Sequence, residues 1–182
     1  MEPAIAPNNA ATNGARDFDF LTGNWIVQNR RLTHRLQACS TWESFSATSR
    51  CQPILGGAGN QDEFRSAHRP GFIGMSLRLF DPQSRQWSIY WVDNQSVVLQ
   101  PPVVGEFNGD CGSFYGDDVF DGEAIRVRFV WSRIHSPNPR WEQAFSSDGG
   151  HSWETNWIMD FQACASDVTG QLNATCQESC HG

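Results

Sequence analysis

The chain has 182 residues, 39% hydrophobic and 18% charged, which suits one folded domain with its own core and excludes the disordered and fibrous classes. A formal charge of −7, with 13 basic residues scattered and no basic stripe, argues against nucleic acid as a partner. No run of about 18 apolar residues is present, so no membrane-spanning helix is predicted and a membrane is not expected as a partner.

In chain order, residues 1–16 lead in as an expected disordered segment. They hold no apolar stretch between a basic end and a cleavage site, so with Met1 as the native start the expected location is cytoplasmic. "ARDFDFLTG" suggests a short helical turn ended by Gly23. From there on, short β-prone runs alternate with Gly, Pro, Asn and Asp clusters, and no long segment keeps a 3.6-residue apolar period. Strands are predicted over 25–34, 40–51, 58–65, 72–80, 86–93, 96–100, 102–108, 111–116, 124–134, 140–146 and 152–162. Hairpin turns are legible at "DPQSRQ" (81–86), "NGD" (108–110), "SPNP" (136–139) and "SDGG" (147–150). The result is an all-β domain over 17–162, an up-and-down antiparallel barrel in preference to a helical or mixed fold.

The tail, 163–182, carries Cys164, Cys176 and Cys180 and is read as a lid over the barrel. Cys176, Cys180 and His181 lack the paired C-x-x-C knuckles of zinc sites, so no metal is expected and a disulfide or free thiols are the simpler reading.

Residues 146–153 read S-x-D-x-G-x-S-W, which resembles the Asp-box of sialidases and other propeller proteins. A propeller needs repeated blades, and no repeat at a period of about 40 residues occurs. The expected role of Asp148 is therefore structural: it caps the amides of a hairpin turn.

"DFDFLTGNW" sets Gly23 and Trp25 as G-x-W at the start of the first strand. This resembles the first signature of lipocalins and the wider calycin superfamily. The words "FDFLTGNW", "RRL", "LGGAGNQDEF", "SLRLFDPQSRQWSIYW", "PPVVGEF", "FVWSRI" and "WEQAFSSDGGHSWETNWIMDF" occur in order across residues 17–161. Together they resemble an uncharacterised, mostly bacterial, lipocalin-like family. The resemblance implies a calycin barrel whose Trp25 plugs the closed end beneath a small-molecule interior; it implies no particular activity. One departure is that Gln162 stands where lipocalins place a basic residue over the plug.

Strand alternation predicts the lining. With Trp25 inward, Val27, Asn29 and Arg31 follow; Ile125, Val127, Phe129 and Trp131 form one face, and Trp141, Gln143 and Phe145 another. Trp153, Thr155, Trp157, Met159 and Phe161 share a face opposite Glu154, Asn156 and Asp160. Trp87, Ile89 and Trp91 form an aromatic face, and Met75, Leu77 and Leu79 an aliphatic one. The expected ligand-binding set is Trp25, Asn29, Phe45, Trp87, Trp91, Phe129, Trp131, Trp141, Gln143, Thr155 and Trp157. Aromatic side chains at this density suit the wall of a pocket.

Polar lining residues bear on catalysis. Arg31 and Glu43 on neighbouring strands form a candidate pair, Asp62 or Glu63 must face inward, and His34 or His135 near strand ends offers a base. The expected catalytic set is Glu43, Arg31, Asp62 and His34. Nucleophile elbows, P-loops and dinucleotide turns are lacking, so no cofactor is expected. The mixed polar lining favours a cofactor-free cyclase, isomerase or dehydratase acting on a polyketide- or terpenoid-like molecule; the alternative is a carrier for a small apolar ligand. Either is expected as a monomer or homodimer.

Overall fold

A computed structural model describes residues 14–164. Its strands are β1 (Gly23–Leu32), β2 (Trp42–Ile54), β3 (Gly59–Ser66), β4 (Ile73–Asp81) and β5 (Gln86–Asp93), followed by β6 (Val103–Asn108), β7 (Cys111–Phe120), β8 (Glu123–Ser132), β9 (Arg140–Ser146) and β10 (Glu154–Ala163). Each pairs antiparallel with its neighbours in sequence, and β1 also pairs with β10, so the sheet closes into a ten-strand, lipocalin-like up-and-down barrel. Closure leaves no terminal strand with a free edge. The expected lid, Cys176, Cys180 and His181 lie outside the described residues. Cys164 is disulfide-bonded, and Cys39, Cys51 and Cys111 are free thiols. No helix among the described residues is long and apolar enough to cross a membrane.

A 3-10 turn, Asp19–Leu21, precedes β1 and plugs one end of the barrel. Gly23 enters β1 at φ 132°, a conformation that L side chains rarely adopt, which accounts for the glycine of the G-x-W pair. The Trp25 indole N–H donates to the Leu21 carbonyl at 2.7 Å, and the Trp87 indole N–H donates to the Gly14 carbonyl at 2.9 Å. Phe18 is fully buried and packs edge-on against Trp87, Phe107 and Trp131. The closed end is thus an aromatic cluster in which the Trp25 and Trp87 indoles are satisfied by the incoming backbone. At the other end, the loop 33–41 covers the mouth: the Leu36 N–H donates to Glu154 at 2.7 Å, and Arg35 lies over Phe120 and Phe145.

The turn at 147–150 behaves as its sequence implies. Asp148 accepts from the hydroxyls of Ser146 and Ser152 at 2.7 and 2.6 Å and from the Ser152 N–H at 2.9 Å. The Trp153 indole N–H closes the hairpin on the Gly150 carbonyl.

Three sequence expectations fail for identifiable reasons. No strand forms over 96–100, although Val97, Val98 and Leu99 are β-prone. The Asp93 carboxylate captures the N–H groups of Gln95 and Ser96, and Pro101 and Pro102 have no N–H with which to continue a ladder. Those three apolar side chains are left exposed. Met75, Leu77 and Leu79 lie on the outer face, because β4 pairs with β5 in a register that sets Ser76, Arg78 and Phe80 beside the inward Trp91, Ile89 and Trp87. A bulge between Thr155 and Trp157 breaks the alternation of β10. Thr155 pairs with Ala144 and is absent from the cavity wall, whereas Asn156, expected on the outer face, is fully buried and accepts from the Gln143 amide at 2.8 Å.

Candidate functional site

The barrel encloses a cavity of about 170 Å³. Its apolar wall combines Phe64 of β3, Ile89 and Trp91 of β5, Val103 of β6, Val127, Phe129 and Trp131 of β8, Trp141 and Phe145 of β9, and Met159 and Phe161 of β10. All but Phe64 and Val103 lie on faces that alternation assigns inward from sequence. Trp91 reaches across Gly74 of β4, where an added Cβ would stand 2.1 Å from the ring, so the glycine is required by this close approach. On one side the wall is thin. β5 and β6 pair only over Trp87–Ile89 and Val103–Gly105, and Gln100, Pro101, Asp117 and Asp118 border the gap.

The polar part of the lining centres on a residue that the sequence patterning misplaces. Arg78 is 4% exposed and points inward, with its Nη1 2.5 Å from Asp62 Oδ1 and 3.0 Å from Asn60 Oδ1. Ser49 donates to the other Asp62 oxygen at 3.2 Å. The guanidinium carbon lies 5.4 Å from the centre of the Phe18 ring and 6.0 Å from that of Trp131, so the cation sits on the aromatic plug. A basic residue does cover the closed end, but from β4; Gln162 on β10 is exposed. Cys51, buried in the field of both members of the pair, has its thiol pushed up to about 12 by burial. Two buried donors on the cavity wall, Arg78 Nε and Trp131 Nε1, have no acceptor among the described residues.

The expected catalytic residues are divided between two places. Asp62 lines the interior cavity. Arg31, Glu43 and His34 border a separate depression at the mouth, together with Arg35, Phe120 and Asp121. There Arg31 and Glu43 form the anticipated ion pair at 2.6 Å, both half-buried, with Arg31 5.4 Å from the ring centres of both Phe45 and Trp157. The histidine facing Glu43 is His68, whose Nε2 lies 3.4 Å from the carboxylate and whose ring stacks on Phe45. His68 is absent from the predicted set because it follows β3 in a turn that no strand pattern orients. His34 is exposed, with Nδ1 3.2 Å from the Thr33 hydroxyl, and that hydroxyl also lies 3.4 Å from the Cys39 sulfur. His135 is exposed at a hairpin.

Of the expected ligand-binding residues, Trp91, Phe129, Trp131, Trp141 and Gln143 line the cavity. Trp25 and Trp87 belong to the plug, and Phe45 and Trp157 to the mouth. Asn29 is buried, accepts from the Trp157 indole at 2.9 Å and donates to the Val27 carbonyl, so its amide serves packing. No group of three His, Cys, Asp or Glu side chains that could hold a metal ion occurs among the described residues. Comparison with family models and with curated proteins finds no match.

Proposed function

We propose that the barrel binds one small, flat, largely apolar molecule in its interior and acts as a carrier or sequestering protein. The observation that carries this reading is the cavity of about 170 Å³ walled by Phe64, Trp91, Phe129, Trp131, Trp141 and Phe145. A dry apolar cavity of about 150 Å³ already holds benzene, so this space matches a single aromatic ring with a short substituent better than a long polyketide or terpenoid chain. A ligand of about eight heavy atoms at ~0.8–1 kcal/mol each gives a Kd of roughly 1–20 µM. The lipocalin-like resemblance of the sequence points the same way.

The test is a titration with ethylbenzene followed by tryptophan emission, together with native mass spectrometry of the purified protein. Saturable quenching with 1:1 stoichiometry and chemically unaltered ligand is expected. Absence of any saturable change up to the solubility limit would refute the reading.

A catalytic use of the same pocket (cyclisation, isomerisation or dehydration without a cofactor) rests on Asp62, the only member of the expected acid–base set on the cavity wall. It requires a co-purifying molecule to be converted by the wild-type protein and left unchanged by Asp62→Asn. Equal conversion by both would remove Asp62 from the chemistry.

A further inference from the structure

We propose that the closed end of the cavity is a hydrogen-bonding subsite for an uncharged oxygen or nitrogen acceptor on the ligand, supplied by Arg78 and Trp131. The proposal rests on the binding function argued above and specifies which ring-containing molecules the barrel selects.

Buried donors without an acceptor are rare in folded proteins, because each loses its water without compensation. Of the unpartnered buried donors among the described residues, which also include nitrogens of Arg126, Arg128 and Asn156, two belong to side chains that line one cavity: Arg78 Nε and Trp131 Nε1, on residues 4% and 1% exposed. Both residues line the space, and the guanidinium carbon is 6.0 Å from the centre of the Trp131 ring. Arg78 Nη1 is held by Asp62 and Asn60. What the site lacks is an acceptor, and an occupant that brings one satisfies donors that the protein leaves open. Because Arg78 packs on the plug residue Phe18, that acceptor must point towards the closed end, with the ring above it against Trp91, Phe129 and Trp141.

Charge decides between a neutral and an anionic acceptor. Asp62 already compensates Arg78 at 2.5 Å, Asp118 also borders the cavity, and Asp117 beside it is paired outward with Arg126 at 3.0 Å, so the lining holds no cation free for an anionic ligand. A carboxylate ligand would add an anion to a site whose only cation is spent. A ketone, aldehyde, amide or ring nitrogen adds none. A site built around fixed donors discriminates strongly against the analogue that lacks the acceptor, because the donors are then left unpaired.

The test uses three ligands of nearly one shape: acetophenone, ethylbenzene and benzoate. Their affinities are measured by calorimetry at neutral pH on the wild type, Arg78→Lys and Trp131→Phe. Arg78→Lys keeps a cation for Asp62 but has no Nε–H, and Trp131→Phe keeps an aromatic plug without the indole N–H; circular dichroism verifies that each is folded. Acetophenone should bind the wild type about tenfold or more tighter than ethylbenzene, and benzoate should bind weakest. Either variant should cut the preference for acetophenone over ethylbenzene at least threefold. Where one variant does not fold, the other decides.

Equal affinity for acetophenone and ethylbenzene would overturn the subsite and leave the binding function standing. A preference for benzoate would overturn the choice of a neutral acceptor. A preference that survives in the folded variants would overturn the assignment of the donors. Failure of all three ligands to bind would overturn the subsite and the binding function together.

Discussion

The Arg78–Asp62 pair provides the sharpest energetic prediction. Its side chains are 5% and 8% exposed and meet at 2.5 Å, so solvent screening is negligible and no water replaces a lost partner cheaply. Replacing Asp62 by Leu leaves a buried guanidinium with only the Asn60 side-chain oxygen as acceptor among the described residues; replacing Arg78 by Met leaves a buried carboxylate with only the Ser49 hydroxyl. Removal of one partner from a buried pair costs about 3–5 kcal/mol, whereas replacing both by apolar groups of similar size is close to neutral. Each single substitution should therefore lower stability by about 3–5 kcal/mol. For a domain of this size that corresponds to a fall in Tm of roughly 6–20 °C. The double variant should lie within about 2 kcal/mol of the wild type, giving a coupling energy of several kcal/mol. Urea unfolding followed by far-UV circular dichroism measures all four corners of the cycle. Single substitutions that cost less than about 1 kcal/mol, or a double variant whose cost equals the sum of the singles, would refute the claim that the pair is a mutually dependent buried unit.

Other outcomes follow from individual residues. The Cys39 thiol is lowered to about 6 by the Thr33 hydroxyl first and by the backbone of Thr41, so its alkylation by iodoacetamide should reach half its maximal rate near pH 6; a midpoint near pH 8–9, the ordinary thiol range, would contradict this. Cys51, pushed up to about 12 by burial, should remain unalkylated until the barrel unfolds, as peptide mass mapping would show. The Asp148 carboxyl is held well below the usual carboxylate range by the hydroxyls of Ser146 and Ser152. Its stabilisation is complete above about pH 4, the value in the unfolded chain, and is lost as pH falls towards the lower folded value. The Tm difference between wild type and Asp148→Asn should be constant from pH 8 to 5 and narrow below 4; a difference independent of pH down to 2 would argue against an ionic turn. Gly74→Ala puts a methyl group into the Trp91 ring, so it should shift the tryptophan emission and weaken ethylbenzene binding at least tenfold, and unchanged binding would show that Trp91 is not part of the wall.

Much of the fold was legible in the residues because turns and alternation fix a barrel locally. The hairpins "DPQSRQ" and "SDGG" each join strands that pair as expected, and the inward faces of β1, β8 and β9 follow from a period of two. The candidate site was harder to read. Arg78 was hidden by the stronger apolar pattern of Met75, Leu77 and Leu79, which looks like a core face but lies outside. A signal was nevertheless present. The turn at 81–86 pairs Phe80 with Trp87, so an inward Trp87, Ile89 and Trp91 require an inward Phe80, Arg78 and Ser76. The bulge in β10 had no such signal, since an inserted residue leaves no mark in an alternating sequence, and it moved Thr155 and Asn156 to unexpected places. Arg31 and Glu43 pair as adjacent strands predict, yet which end of the barrel they occupy depends on the direction of closure. That is why the residues expected to work with Asp62 stand instead at the mouth.

The most direct test of interior binding is a crystal structure of the protein soaked with bromobenzene, with data collected at the bromine absorption edge. Interior binding gives one anomalous peak inside the barrel, bounded by Ile89, Trp91, Phe129 and Trp141. An empty interior with the only peak at the mouth, beside Arg31 and Glu43, would contradict it.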